Sequence, residues 1–374
     1  MRSIVLLLCI LLVSGCAGPA GFAPGTLPPP NVTIIPATGT ATITPIPSPT
    51  QTTLQALYPY TVEGLRQHDF TSGKVHIREK LEETDVYTRY LIDYPSDGLT
   101  ITGVMQIPVQ GHAPFPVIVM NHGFFARSVY ASGDGTDRAA EYFNRHGYLT
   151  LSSDYRSWGG SDAGPSLYYS GLAIDVINLL NALPSIPEAD ASRVGIWGHS
   201  MGGGVTMKVL TIDSRLKAAV LYSTVSADDA DVLARWGLGC FGNVEEGERQ
   251  IGCNSSDVLP FSLPAELLRA YYDASTDATL LEKISPIHNL DLVNAPVQIN
   301  YGTDDGKTNA GTPPEWSKKL YEALLDAGKP AELFGYEGES HSFVGDAWVA
   351  VMERSAHFFD KYVKNAQSSE MHTE

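Results

Sequence analysis

Val194-Gly195-Ile196-Trp197-Gly198-His199-Ser200-Met201-Gly202-Gly203-Gly204 is the stretch on which the reading of this chain turns. A short apolar strand runs into a serine flanked by glycines, and a run of small residues follows. This is the layout of a nucleophile elbow, in which a serine sits on a strained strand-to-helix turn and projects its hydroxyl into a cleft. Gly198 and Gly202 suit so tight a turn because a side chain at either position would collide across it. With 35 glycines in 374 residues the five-residue pattern is unspecific by itself. Its surroundings have to decide.

Downstream, strand-like and helix-like segments alternate. Residues 86–94 and 99–107 show period-2 patterning around a Pro95-Ser96-Asp97-Gly98 turn, as in a hairpin. Residues 117–120 form a continuous apolar run suited to a strand buried on both faces. Further strands are expected at 148–152, 194–197, 218–222, 297–301 and 331–336. Helices are expected at 138–146, 172–183, 202–210, 314–327 and 346–362. Such alternation predicts a doubly wound, mostly parallel α/β sheet. Residues 226–290 break the rhythm with a helical, acidic stretch, expected to be a cap over the carboxyl ends of the strands, where α/β enzymes bind ligands.

The N-terminus has a different character. Arg2 precedes the apolar segment 4–13, too short for a permanent membrane span, and Val13-Ser14-Gly15-Cys16 follows. Residues 1–15 read as a lipoprotein signal peptide and Cys16 as the acylated residue, so the chain is expected outside the cytoplasm, anchored by lipid at the cell envelope. Residues 16–57, rich in Pro and Thr and nearly free of charge, read as a disordered tether. The folded α/β domain is expected over 58–366, with 367–374 as a polar tail. In an oxidising compartment Cys240 and Cys253 are expected to pair, two free thiols being the alternative. A net charge of −17 disfavours nucleic acid as a partner. No cluster has metal-ligand spacing.

A serine hydroxyl needs a base, an orienting carboxylate and an oxyanion hole before it can attack a carbonyl. Asn300-Tyr301-Gly302-Thr303-Asp304-Asp305-Gly306 puts an acid just after one late strand. Tyr336-Glu337-Gly338-Glu339-Ser340-His341-Ser342-Phe343 puts a histidine just after the last. Together with Asn121-His122-Gly123, Asp154-Tyr155-Arg156-Ser157-Trp158-Gly159-Gly160-Ser161 and Ile284-Ser285-Pro286-Ile287, these motifs resemble, over residues 94–362, the α/β-hydrolase superfamily. Within it they resemble the catalytic domains of prolyl-oligopeptidase-like (S9) serine hydrolases and dienelactone-hydrolase-like esterases.

The resemblance implies Ser200 as nucleophile, His341 as general base and Asp305 as the carboxylate, with Asp304 the alternative, because the family's Asp-x-x-Val-Pro continuation is missing here. It implies an oxyanion hole made by the backbone N–H groups of Met201 and Phe124, and no cofactor. Phe124, Phe125, Trp158, Tyr168 and Tyr169 are candidates for an acyl pocket. His122, His199, Asp154 and Arg156 are expected to be structural, and His357 to pack. His288, at the cap hinge, is the remaining histidine candidate. The expected activity is cleavage of small-molecule esters or short peptides. Esters come first because the tether leads almost directly into the hydrolytic domain, without the β-propeller usual in S9 peptidases. A surface lipoprotein that keeps the fold but only binds is the rival class.

Overall fold

The computed structural model describes residues 49–237 and 264–365. The leader, Cys16, residues 16–48 of the tether, Cys240, Cys253 and the 367–374 tail lie outside the described residues.

The chain enters through α1 (Pro49–Leu57) and α2 (Val62–Arg66). An antiparallel set follows: β1 (His76–Glu83), β2 (Tyr87–Ser96) and β3 (Leu99–Pro108). Asp97 and Gly98, with φ of 51° and 81°, join β2 to β3, the positive-φ pair a two-residue hairpin turn demands. From β4 (Phe115–Asn121) onward the chain alternates: α3 (Asp137–Arg145), β5 (Leu149–Ser153), α4 (Ser170–Ala182), β6 (Ala189–His199), α5 (Met201–Ile212) and β7 (Ala218–Tyr222). The insertion contributes α6 (Asp229–Trp236), α7 (Ala265–Ala274) and α8 (Ala278–Ile284). Then come β8 (Val297–Gly302), α9 (Pro314–Asp326), β9 (Ala331–Tyr336) and α10 (Gly345–Phe359). The final helix passes into a π turn at Asp360–Lys364.

The strands form one sheet in the order β1-β2-β3-β5-β4-β6-β7-β8-β9, parallel from β5 to β9. Successive side chains of a strand face opposite ways, and the central strands supply two cores. Val117, Val119, Ile196 and Ile299 meet α4, α5 and α9, whereas Ile118, Met120, Trp197 and Val220 meet α3 and α10. This double coverage explains why β4 is buried at every position.

Two local features depart from the sequence reading. Strand β1 was not foreseen: all eight residues are exposed, and His-Ile-Arg-Glu-Lys-Leu-Glu-Glu carries no apolar alternation. It is a charged edge strand, the type that resists pairing with other chains. The second departure is a correction. The disordered tether was expected to run to residue 57, but 49–57 is helical. Helix α1 lies on α7, and Leu57 joins Ala270, Ala274 and Leu280 in a small core of its own. Two leucines in a polar segment gave too weak a period to read alone. Among the described residues, no helix is long and apolar enough to cross a membrane.

Candidate active site

The site is built at the carboxyl ends of β6, β8 and β9. Ser200 follows β6 directly and adopts φ 56° and ψ −121°, a region that non-glycine residues occupy only when their surroundings hold them there. Its N–H donates to the Tyr222 carbonyl at 3.0 Å, and its carbonyl accepts from Gly203 and Val225. The glycines are needed for close approach rather than for flexibility. A Cβ on Gly202 would lie 2.0 Å from the Asn121 oxygen, and one on Gly198 2.4 Å from the Gly202 oxygen.

The loop after β9 carries His341 to the serine, with Nε2 2.8 Å from Ser200 Oγ. Its Nδ1 lies 2.9 Å from Asp305 Oδ2. An ionised carboxylate can only accept, so Nδ1 bears the proton and Nε2 is left to accept from the serine hydroxyl. The structure thus resolves the register: Asp305 is buried and meets the histidine, while Asp304 is turned out to Lys307 at 2.6 Å. Three further donors hold the buried carboxylate. Gly306 N–H reaches Oδ1 at 2.7 Å, Thr312 N–H reaches Oδ1 at 2.9 Å, and the Thr312 hydroxyl reaches Oδ2 at 2.7 Å. Burial alone would raise this carboxyl. The His341 ring, Thr312 and Gly306 outweigh it and hold the group below the usual carboxylate range.

His199 has a role that its motif position hid. Its Nε2–H donates to the His341 carbonyl at 3.1 Å, and its ring stacks on Tyr222 at 4.6 Å. Burial, reinforced by the neighbouring His341, pushes His199 down to about 3. It therefore stays neutral and keeps a donor on the carbonyl of the triad histidine. The adjacency His199-Ser200 was visible in the sequence, but its pairing with a loop 142 residues away was not.

Other candidates fall elsewhere. His122 lies between the carbonyls of Gly123 and Asp154 and stacks on Tyr130, supporting the turn that presents Phe124. Arg156 forms a buried pair with Asp175 of α4, and Asp154 accepts from Tyr130, Thr102 and Ser132, both as buttresses. His357 is exposed on α10 rather than packed. His288 lies 3.9 Å from Asp228 and makes no described hydrogen bond to Ser200, Asp305 or His341.

A cavity of about 380 Å³ opens beside Ser200, and Phe124 and Met201, the residues expected to supply the oxyanion donors, both line it. Of the five aromatic candidates, Phe124 and Tyr169 reach its wall; Trp236, Val225, Asn309 and Ala310 join them. Phe125 stays behind with His122 and Tyr130, Trp158 donates to the Phe125 carbonyl, and Tyr168 donates to that of Tyr271. Trp236 was missed, since a tryptophan ending a cap helix carries no motif.

The serine aminopeptidase S33 family (Hydrolase_4) matches residues 112–245. The acetyl xylan esterase from Paenibacillus sp. R4 superposes with a TM-score of 0.56 at 18% identity, over 85% of this chain and 96% of that one. The acylaminoacyl peptidase of Pyrococcus horikoshii gives 0.55 at 22% identity, over 75% and 43%. The chain has the α/β-hydrolase fold. In sequence, an Escherichia coli protein described as an uncharacterized 31.7 kDa protein in the traX-finO intergenic region is 30% identical over 156 residues, 41% of this chain and 49% of that protein. Esterase FrsA of Shigella boydii is 31% identical over 129 residues, 34% and 30% respectively. The chain thus spans about half or less of the length of these curated relatives.

Proposed function

We propose that this α/β-hydrolase is a serine hydrolase that cleaves carboxylic esters, and short peptide or amide bonds less readily, through an acyl-enzyme. The observation that carries the reading is the relay from Asp305 through His341 to Ser200, at 2.9 and 2.8 Å. The Ser200 hydroxyl gives its proton to His341 Nε2 while Oγ bonds to the substrate carbonyl carbon. The carbonyl oxygen takes the negative charge beside the N–H groups of Phe124 and Met201. The bond to the leaving group then breaks, and His341 returns its proton to the departing oxygen or nitrogen. Water repeats the sequence on the acyl-serine and frees the acid. Asp305 stays ionised throughout and stabilises the imidazolium.

The preference for esters is supported by the likeness to Esterase FrsA; the S9-type dipeptidyl or oligopeptidase reading is supported by the sequence motifs. We also propose that Cys16 tethers the enzyme by lipid at the cell envelope, outside the cytoplasmic membrane, on the strength of the apolar segment 4–13 and the small residues before the cysteine.

A fluorophosphonate probe tests the chemistry, because it reacts only with an activated serine. Labelling is expected in the wild type, absent in Ser200→Ala and sharply reduced in His341→Ala. A chain that folds but takes no label would be a binding protein on a hydrolase fold.

A further inference from the structure

The cavity beside Ser200 has a direction. A leaving group must lie next to His341 Nε2 to receive its proton. The cavity runs instead past Tyr169 and Val225 to Trp236, and His341 is not part of its described wall. It therefore lies on the acyl side of the reacting carbon.

Its walls carry no charge among the described residues, and the acids of the neighbouring 228–231 segment are committed. Asp229 lies 3.9 Å from the buried Lys208 amine and accepts a hydrogen bond from Ser285. Asp228 and Asp231 both hold Lys319, at 2.8 and 2.9 Å. An ammonium entering this space would lose its water and find no charged partner among the described residues, which is strongly unfavourable.

The far wall is braced by polar and aromatic contacts. Trp236 closes α6, and its indole N–H donates to the Asn309 carbonyl at 2.6 Å. The ring meets Trp316 edge to face, with centroids 5.3 Å apart. Arg235 lies over both rings and donates to the carbonyls of Gly306 and Thr308 at 3.0 and 2.7 Å. The segment after Asp305, where the chain lacks the Asp-x-x-Val-Pro continuation, is thus pinned against the cap helix and forms part of the pocket.

Size sets the last condition. A dry cavity of about 150 Å³ accommodates benzene, so about 380 Å³ is far more than a two-carbon acyl group fills. Each methylene buried there gains roughly a fourfold advantage.

Resting on the serine-hydrolase reading above, we propose that this cavity is an acyl-binding pocket for neutral, apolar acyl groups larger than acetyl. Trp236, braced by the 306–309 segment, is the wall that limits their length. Acyl groups with a free α-ammonium are excluded, which separates this chain from aminopeptidase chemistry despite the family it matches.

The test uses the full chain and p-nitrophenyl esters: acetate, butyrate, octanoate, and 2-aminobutyrate as the charged counterpart of butyrate. We expect kcat/KM to rise about tenfold or more from acetate to butyrate, and to fall at least tenfold when the ammonium is added. Trp236→Ala should raise the octanoate-to-butyrate ratio at least fivefold. Ala310→Phe, at an exposed loop position, fills the same space and should lower that ratio; it serves if Trp236→Ala does not fold. Acetate as good as butyrate, a preference for 2-aminobutyrate, or a ratio that neither variant moves overturns the proposal. Fluorophosphonate labelling of Ser200 in the same samples separates the two levels. A labelled enzyme with a flat chain-length profile refutes only the pocket, whereas an unlabelled one refutes the hydrolase reading beneath it.

Discussion

The turn around Ser200 and the loop around Asp305 each deliver one side chain to the same histidine, and they are held by opposite means. The turn is self-contained. Gly198 and Gly202 admit backbone at distances no Cβ permits, and two hydrogen bonds join Ser200 to Tyr222 and Val225 just beyond its own strand. The acid loop depends on distant partners. Thr312, seven residues on, supplies two of the donors on the carboxylate, and α6 grips the 306–309 backbone through Arg235 and Trp236. One region is specified by local sterics, the other by contacts that exist only once the cap has docked.

The largest test of that contrast concerns the neighbouring acids. Asp305→Asn should lower kcat on the order of 10⁴-fold, since the amide can neither hold the donor tautomer nor stabilise the imidazolium. Asp304→Asn, which removes only an exposed pair with Lys307, should stay within about threefold. A larger loss in Asp304→Asn would mean that the loop adopts the other register when substrate binds.

A smaller effect is expected from Thr312→Val. Removing one hydrogen bond to a charged acceptor is worth about 1.5–3 kcal/mol, so kcat should fall about tenfold or more with KM little changed. Thr312→Ser should recover most of it. Failure of serine to rescue would assign the loss to packing rather than to the hydroxyl.

The smallest effect separates the two regions by pH. The folded-state value of His199, about 3, lies below the unfolded histidine value near 6.5, so its contribution to stability is complete above pH 6.5 and is lost as pH falls toward 3. The slope is up to about 1.4 kcal/mol per pH unit, the upper limit because the residue as a whole is half-buried. Asp305, held below the usual carboxylate range, contributes above about pH 4 and loses that contribution only below it. Between pH 6.5 and 4 the elbow should therefore weaken while the acid loop does not. Urea midpoints at pH 7.5 and 5 should converge in His199→Asn relative to the wild type. Equal slopes in both proteins would contradict the assignment.

The same contrast explains what could be read in advance. Strands β4 and β6 announce themselves as apolar runs because both faces are covered, and the turn at Ser200 because its sterics leave little choice but glycine at two positions. Asp305 could not be separated from Asp304 by sequence, since the choice is made by Thr312 on one side and Lys307 on the other. Strand β1 is charged because it is an edge, and α1 is helical because α7, more than 200 residues away, buries Leu57. Trp236 belongs to the same class: its importance comes from facing the 309–310 segment, a tertiary fact with no local signature.

The most direct test of the central claim is an intact-mass measurement of the enzyme quenched with acid within milliseconds of mixing with p-nitrophenyl butyrate. One added butyryl group, about 70 Da, is expected, localised to Ser200 by peptide mapping and missing in Ser200→Ala. Rapid ester turnover with no acyl adduct, or with an adduct on another residue, would contradict it.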